Sequence, residues 1–464
     1  MKLNQLNRRA FLGKAAAAGL ATLLPGGFTA MASESGSLRT PVRIRGAAIF
    51  DGTNEQLIVG SDVLVEDGLI SSIAPNLAAP DGAIEIDASG RTLIPGLCDA
   101  HTHVMWSDDI AFLVYGAPEG YSGVVAGVNA TNMLMRGFTM VRDVGGPSFG
   151  LKQAIDAGVL PGPRILPSGA FISQSSGHGD FNPEMFNLSP HFTGQIDKAY
   201  LRGWTYIADG VSEVRKAVRE NLRAGATQIK IMGSGSITGA HDPLDVTEYT
   251  REELAAIVEE ARRWGTYATI HCYTEEGIDN ALAAGVRCIE HGLFATEKQI
   301  RRMKKMGVFF STQFLSFTTP VEQTGLTGSA ASKFLQAQAG AKAAFTRAKK
   351  VGVDMAWGTD ILGNKEKTLD LSALQSQEFV ARAEYFTPFE ILKQATSTNA
   401  RLCAESGARH PYRAGPIGVI EPGAYADLLI VDGNPLDDIS PLARPEESLA
   451  VVMKDGVVHK STLG

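Results

Sequence analysis

The stretch Leu93-Ile-Pro-Gly-Leu-Cys-Asp-Ala-His-Thr-His103 decides how this chain of 464 residues is expected to fold. Its apolar run is typical of a buried strand, and the run ends in two histidines that lie two positions apart. Because side chains alternate across a strand, His101 and His103 point to the same face, where their ring nitrogens can bind one metal ion together. The stretch therefore predicts a strand that carries part of a metal site at its C-terminal end.

Four further residues with metal-binding chemistry lie at or near the ends of other apolar runs. They are Lys230, His271, His291 and Asp360. A single buried histidine is usually a hydrogen-bonded core residue, but that explanation does not fit a whole set of histidines and an aspartate at strand ends. Lys230 is a separate case, because burying an ammonium group is costly. Its alternatives are a side chain that extends to solvent, a buried ion pair, or an amine that CO2 has converted into a carbamate bridging two cations.

Apolar strand segments and helical segments alternate through the middle of the chain. The strand segments end near His103, Val144, Ile172, Met232, His271, His291, Thr312 and Gly358. Apolar residues at three- and four-residue spacing predict helices over Val211–Ala224, Glu252–Trp264, Glu276–Ala284 and Ala330–Lys350. This alternation predicts a (β/α)8 TIM barrel over residues 95–400, with a doubly wound α/β sheet as the alternative. A barrel explains the distribution of the potential ligands, because the C-terminal ends of its strands meet on one face.

Both ends of the chain show short β-like runs, and turn dipeptides such as Asp51-Gly52 and Asp67-Gly68 separate them. Residues 33–94 hold the N-terminal runs, and residues 401–464 hold the C-terminal ones. Two β-rich ends around one long middle predict that the termini pair into a single small β-sandwich module beside the barrel.

Residues 1–32 are typical of a cleavable export signal. Paired Arg8 and Arg9 precede an Ala/Gly-rich, weakly apolar segment that ends in Ala30-Met31-Ala32. The paired arginines favour the twin-arginine pathway, and the alternative is an ordinary signal peptide with a positively charged start. Either pathway predicts a periplasmic or secreted protein. The apolar segment is too short to span a membrane.

The charge of the chain limits the kinds of partner that it can have. Its formal net charge is −7 at pH 7. Removal of the signal would make the charge more negative, because the signal carries basic residues and no acidic ones. A negative surface argues against nucleic acids and anionic membranes as partners.

Five other residues are predicted to be structural rather than functional. Cys98, Cys272 and Cys288 lie in apolar runs without any Cys-x-x-Cys spacing, which favours buried thiols over disulfides or a zinc knuckle. Arg142 and Asp143 lie at the end of the second predicted strand, where they favour a structural ion pair over a substrate clamp.

Several segments resemble the amidohydrolase superfamily, in particular its imidazolonepropionase-related branch of metal-dependent dipeptidases and carboxypeptidases. The segments that carry the resemblance are Leu93–His103, Tyr267–Gly292, Trp357–Asp360 and Gly418–Asp438. The resemblance implies a homo-oligomer with two Zn2+ ions, or similar divalent metals, which a carboxylated lysine and a hydroxide bridge. The ligands that it implies are His101, His103 and Asp360 on one ion, His271 and His291 on the other, and Lys230 between them.

Two further residues are expected to contact the substrate. The loop Ser175-Ser-Gly-His-Gly-Asp180 resembles a Gly-His-Gly-Asp segment of members that cut C-terminal amino acids from peptides or N-acyl amino acids. His178 is therefore expected to stabilise the oxyanion or hold the scissile carbonyl, and a solvent-exposed loop histidine is the alternative. Tyr273 stands two residues after His271, where many relatives have a histidine, and is expected to contact the substrate carboxylate. Within this branch, the chain as a whole resembles prolidase-like enzymes and ochratoxin-degrading amidohydrolases.

The resemblance implies a hydrolase that cleaves a peptide or N-acyl amide bond and releases a C-terminal amino acid such as phenylalanine or proline. A metal-bridging hydroxide would attack the carbonyl, and Asp360 would act as general base and acid. Aromatic residues of the long loops predict a pocket for an apolar or aromatic side chain. They are Phe181, Trp204, Tyr206, Phe314 and Phe317. The alternatives are a one-metal deaminase or cyclic-amide hydrolase on the same fold, and an exported metal-binding protein without turnover.

Overall fold

The computed structural model describes residues 39–181, 194–239, 242–361 and 371–463. The predicted export signal, residues 1–32, lies outside these ranges. No helix within the described ranges is both long enough and apolar enough to cross a membrane.

Short strands near the start of the chain build the first part of a β module. They are β1 (Val42–Arg45), β2 (Ala48–Ile49), β3 (Asp62–Glu66), β4 (Leu69–Ala74), β5 (Ile84–Asp87) and β6 (Arg91–Pro95). Strands β4, β3, β1 and β5 form a four-stranded sheet in that order. The turn between β3 and β4 contains Asp67 and Gly68, whose φ angles are 51° and 82°. Two successive positive φ angles suit a tight hairpin turn, as the Asp-Gly dipeptide predicts.

The middle of the chain forms a barrel of parallel strands. Its strands are β7 (Leu97–Thr102), β8 (Phe138–Asp143), β9 (Arg164–Pro167), β10 (Phe171–Ser173), β11 (Thr205–Ile207), β12 (Ile229–Met232), β13 (Ala268–Cys272), β14 (Cys288–His291), β15 (Phe309–Ser311) and β16 (Met355–Ala356). The third barrel position is split, because β9 pairs with β8 whereas β10 pairs with β12. The barrel closes between β7, its first strand, and the segment that contains β16, its last strand. There the N–H of Ala100 donates to O of Trp357 at 2.9 Å, and the N–H of Asp360 donates to O of His101 at 2.8 Å.

Three C-terminal strands complete the β module. They are β17 (Leu428–Asp432), β18 (Leu449–Lys454) and β19 (Val457–Ser461). The second sheet has the order β19, β18, β17, β6, β2. Strand β17 pairs antiparallel with β6, from Leu428 opposite Pro95 to Asp432 opposite Arg91, so both ends of the chain meet in one sheet. The predicted fold class, a (β/α)8 barrel with a small β module built from both ends, is confirmed.

Helices follow most of the barrel strands. They are α1 (Tyr121–Met135), α2 (Phe149–Asp156), α3 (Lys198–Leu201), α4 (Gly210–Ala224), α5 (Arg251–Arg263), α6 (Glu275–Ala284), α7 (Glu297–Met306), α8 (Phe314–Thr318), α9 (Val321–Thr324), α10 (Gly328–Val351), α11 (Leu371–Ala383), α12 (Pro388–Lys393), α13 (Asn399–Ala404) and α14 (Pro445–Ser448). Short π-helical turns span Phe112–Gly116 and Gln394–Thr398, and 3-10 turns span Gly407–Arg409 and Ser440–Ala443. The four predicted helices correspond to α4, α5, α6 and α10.

Local sequence signals explain why these helices begin and end where they do. Helix α5 begins with a capping box, in which the side chains of Thr250 and Glu253 each accept a hydrogen bond from the other residue's backbone N–H. Helix α4 ends at Gly225, whose φ of 107° lies in the left-handed region that favours glycine at helix C-termini. Helix α4 also buries Val214 and Val218, which lie one turn apart on the face toward the barrel.

We expect Gly358→Ala to lower the free energy of unfolding by about 1–3 kcal/mol, because a side chain here overpacks the closure of the barrel. A Cβ atom on Gly358 would lie 2.7 Å from Cβ of His101 and 3.0 Å from its backbone N, and neither atom can move without moving the strand. Urea denaturation of both proteins measures the difference.

The matched control is Gly150→Ala in the exposed part of α2, where an added Cβ would have no atom within 4 Å. Alanine should stabilise that helix by roughly 0.5–1 kcal/mol. Equal stability of the two variants would contradict the importance of the close contact at Gly358.

Candidate functional site

The predicted metal ligands meet at one end of the barrel, around a cavity of about 680 Å³. They are His101, His103, Lys230, His271, His291 and Asp360. All except Asp360 are buried, and the side chain of Asp360 is 28% exposed. Residues that are far apart in sequence therefore form one cluster, as expected for the C-terminal ends of barrel strands.

Asp360, His101 and His103 form the first half of the cluster. Oδ1 of Asp360 is 3.4 Å from Nε2 of His101 and 3.2 Å from Nε2 of His103. The Nδ1 atoms of the two rings lie 2.7 Å from Oε2 of Glu290 and 3.1 Å from O of Gly145, respectively. An imidazole that donates from one nitrogen presents the other to a metal ion. This half therefore presents two Nε2 atoms and one carboxylate to the same space.

His271 and His291 form the second half of the cluster, with ring centroids 4.5 Å apart. Nδ1 of His291 is 2.7 Å from Oε1 of Gln313, whereas His271 has its Nε2 atom 3.4 Å from O of Gly235. These contacts leave Nε2 free in His291 and Nδ1 free in His271. Burial lowers the pKa of His291 to about 3 and that of His271 well below its usual value. Both rings are therefore neutral, which is the form that binds metal ions.

Lys230 lies in β12 and lines the same cavity. Only 1% of the residue is exposed, so its side chain does not extend to bulk solvent. Burial lowers the pKa of its amine, while the nearby carboxylates of Glu290 and Asp360 act in the opposite direction. A lower pKa increases the fraction of neutral amine, and a lysine amine must be neutral to react as a nucleophile with CO2.

Glu290 is a buried carboxylate below the cluster that the sequence did not single out. Its Oε1 accepts a hydrogen bond of 2.6 Å from Nη2 of Arg142, its Oε2 lies against His101, and it also accepts from the hydroxyl of Thr269. Burial would raise the pKa of Glu290, but Arg142 and His101 hold it well below its usual value. Arg142 thus pairs with Glu290, which is 148 positions away in the sequence, and not with its neighbour Asp143. Burial raises the pKa of Asp143 to about 7.

His178 and Tyr273 lie beside the second half of the cluster and line the cavity. Their ring centroids are 4.5 Å and 4.6 Å, respectively, from that of His271. The N–H of His178 donates to Oε1 of Glu248 at 2.7 Å, and its Nδ1 lies 3.3 Å from Oδ2 of Asp242. Burial raises the pKa of Tyr273 well above its usual value, so its phenol keeps its proton and can donate.

The cavity walls are largely apolar, as predicted, but only some of the predicted aromatic residues line them. Of the five predicted aromatic residues, Phe181 and Phe317 line the cavity. Phe314 and Trp204 are buried in the hydrophobic core, and Tyr206 lines a neighbouring cavity. Apolar lining residues that the sequence did not indicate are Trp106, Phe171, Ile237 and Phe334.

We expect Glu290→Gln to weaken the binding of Zn2+ by about ten- to hundred-fold, because an amide holds Nδ1–H of His101 less strongly than a carboxylate does. The change also leaves Arg142 buried without a counter-charge, which should lower the free energy of unfolding by about 3–5 kcal/mol. Competition with a chromophoric chelator measures the affinity, and urea denaturation measures the stability.

Glu276→Gln makes the same substitution at an exposed position of α6. It should change the free energy of unfolding by no more than about 0.5 kcal/mol and leave Zn2+ affinity unaltered. A folded Glu290→Gln variant that binds Zn2+ as tightly as the parent would show that Glu290 does not position the ligand His101.

Known proteins are similar to this chain in fold and in sequence. Residues 92–460 match the model of the Amidohydrolase family. The ochratoxinase of Aspergillus niger is 31% identical over 418 residues, which cover 86% of this chain and 82% of that protein. A prolidase solved in complex with N-methylphosphonate-L-proline has a TM-score of 0.82 and 33% identity, covering 91% of this chain and 100% of that one. A Xaa-Pro dipeptidase solved with bound methionine has a TM-score of 0.77 and 27% identity, with the same coverage. The chain therefore belongs to the amidohydrolase family and is a hydrolase of amide bonds.

Proposed function

We propose that this chain cleaves a peptide or N-acyl amide bond and releases a C-terminal amino acid with an apolar or aromatic side chain. The observation that carries the proposal is the position of His178 and Tyr273 beside the ligand cluster, in an apolar cavity. Similarity to the prolidase and the Xaa-Pro dipeptidase supports a peptide substrate. Similarity to the ochratoxinase supports an ochratoxin-type amide as well.

The donor set of the cluster fits two divalent metal ions such as Zn2+. The residues that would hold them are His101, His103 and Asp360 for one ion, His271 and His291 for the other, and a carboxylated Lys230 between the two. The ligand atoms of His101, His291 and Asp360 already lie within 4.8 Å of one another. When bound, such ions polarise a carbonyl and lower the pKa of water toward neutrality.

Asp360 is suited to accept the proton of the attacking water and return it to the leaving nitrogen. Burial would raise its pKa, but His101 and His103 hold that pKa well below the usual value, so the carboxylate is ionised and can act as a base. Asp360 also has a φ of 53°. Such conformations are uncommon for residues other than glycine and are found at functional sites.

His178 and Tyr273 would orient the substrate over the cluster. The imidazole of His178 would contact the scissile carbonyl, where negative charge develops during attack. The protonated phenol of Tyr273 would donate to the carboxylate of the C-terminal amino acid. Ile237, Phe317 and Phe334 then form an apolar wall for its side chain.

We also propose that the enzyme acts outside the cytoplasm, in the periplasm or after secretion, and that it assembles as a homo-oligomer. The paired arginines and the Ala-x-Ala end of residues 1–32 support twin-arginine export. The resemblance to the family supports the oligomer.

The function is tested with a panel of dipeptides, N-acyl amino acids and ochratoxin-type amides, assayed by mass spectrometry with metal content measured on the same sample. We expect release of the C-terminal amino acid, loss of activity after chelation, and recovery after Zn2+ is added. Asp360→Asn should lower kcat by a factor on the order of 10² to 10⁴, because the amide cannot accept a proton.

Asp354→Asn is the matched control. Asp354 directly precedes β16, the strand that leads to Asp360, and it is exposed and pairs with Arg401 at the surface. It should leave kcat unchanged. Release of no amino acid from any member of the panel would contradict the proposal. Full activity of Lys230→Ala with one metal ion per chain would instead favour a one-metal deaminase or cyclic-amide hydrolase.

We expect Phe317→Ala to reduce kcat/KM for substrates that release phenylalanine by roughly ten-fold more than for those that release alanine, because only the larger side chain reaches this wall. The comparison is a ratio between two substrates of one variant, so a general loss of folded enzyme cancels. An unchanged ratio would place the side-chain pocket elsewhere in the cavity.

A further inference from the structure

The His178 loop, residues 173–180, is held by two buried carboxyl groups from the segment that follows β12. Oε1 of Glu248 accepts a hydrogen bond of 2.7 Å from the N–H of His178 and so fixes the backbone. Oδ2 of Asp242 lies 3.3 Å from Nδ1 of His178 and so faces the ring. A side chain that contacts only Nδ1 leaves Nε2 available to the cavity.

Asp242 is itself fixed tightly. Only 2% of the residue is exposed, and its Oδ2 accepts a hydrogen bond of 2.7 Å from the N–H of Ser236. Gly239 packs directly against the carboxylate, because a Cβ atom there would lie 1.4 Å from Oδ1 of Asp242. The carboxylate that faces His178 therefore has little freedom to turn.

Lys333 connects this segment to a different part of the barrel. It lies near the start of α10, and its ammonium donates to O of Ser236 at 3.2 Å, O of Gly239 at 3.2 Å and O of Asp242 at 3.0 Å. A lysine ammonium has three donors. All three donate to backbone carbonyls of the same segment, one of them that of Asp242. Lys333, which belongs to α10, therefore holds the backbone of Asp242 in place.

The same contact joins two sides of the cavity. Phe334 follows Lys333 in α10 and lines the cavity, where its ring lies 6.5 Å from that of Phe317. Ile237 follows Ser236 and lines the cavity as well. The apolar wall and the carboxylate that faces His178 are thus tied together through Lys333.

We propose that Asp242, anchored by Lys333, is the positioning residue that sets the His178 imidazole beside the metal-ligand cluster. A shift of Lys333 would then move both the apolar wall, which receives the side chain of the substrate, and the imidazole of His178, which contacts the scissile carbonyl. This inference rests on the proposed function for the role of His178 in catalysis. Its geometric part, the control of the His178 ring by Lys333, stands independently of the substrate.

The first test is a double-mutant cycle with the holoenzyme and a substrate that the panel identifies. Lys333→Met keeps the length of the side chain and removes its donors, and it should lower kcat by about ten- to hundred-fold while KM changes by less than about three-fold. Lys333→Arg retains donors and should restore much of kcat. In a His178→Asn background, Lys333→Met should have less than about a two-fold effect, because it acts through His178.

Lys342→Met provides the matched control, since Lys342 is exposed on the same helix. It should leave kcat and KM unchanged. An equal loss of kcat from Lys333→Met in the parent and in the His178→Asn background would overturn the inference, because the lysine would then not act through His178.

The second test does not depend on activity. In protein labelled with 15N-histidine, the ring-nitrogen resonances of His178 are assigned by comparison with His178→Asn. They should shift in Lys333→Met and in Asp242→Asn and stay in place in Lys342→Met. Unchanged His178 resonances in the first two variants would overturn the inference. A parent enzyme that hydrolyses no member of the panel would refute the proposed function, while these resonances still decide the role of Lys333.

Discussion

The buried ion pair between Glu290 and Arg142 is the interaction on which the candidate site depends. Both side chains are fully buried, and removing one charge would leave the other without a partner in a medium that cannot solvate it. The pair also fixes the first predicted ligand, because Glu290 contacts Nδ1 of His101 and Arg142 donates to O of Ala100 in the same strand. One pair of charges thereby links three barrel strands, β7, β8 and β14.

The groups above this pair differ in the protonation states that their surroundings favour. Burial keeps His271 and His291 neutral and lowers the pKa of Lys230, whereas the neighbouring histidines keep Asp360 ionised. Burial would also lower the pKa of His101, but the carboxylates of Asp360 and Glu290 raise it above its usual value, so a cation competes with a proton for this ring. His271, His291 and Asp360 are thus in the forms that bind cations, and the ion pair below the cluster keeps the ring of His101 oriented.

The strand-end residues could be predicted from the sequence because each one follows a local apolar run that identifies its strand. The alternation of strands and helices then fixes the face on which the strand ends meet. Glu290, Gln313 and Lys333 could not be predicted in the same way, because their partners lie 189, 22 and 91 residues away, respectively. Arg142 is an example of a partner that the sequence does not reveal. Its neighbour Asp143 suggests a local ion pair, but in the folded chain Arg142 pairs with Glu290. The five aromatic residues predicted to line the pocket also depend on distant contacts, which place Trp204 and Phe314 in the core and Phe181 and Phe317 at the cavity.

The groups that we propose for the reaction and those that we propose for substrate selection are held by different physical means. The predicted ligands lie in barrel strands or just after them, where main-chain hydrogen bonds around the barrel fix them. His178, Phe317 and Phe334 sit on loops and outer helices, whose positions depend on a few polar contacts such as that of Lys333. Loops tolerate sequence change better than barrel strands do, so the substrate can change while the cluster stays the same. Membership of the amidohydrolase family therefore defines the class of reaction, whereas the proposed selection of the released amino acid depends on the place where the His178 loop meets α10.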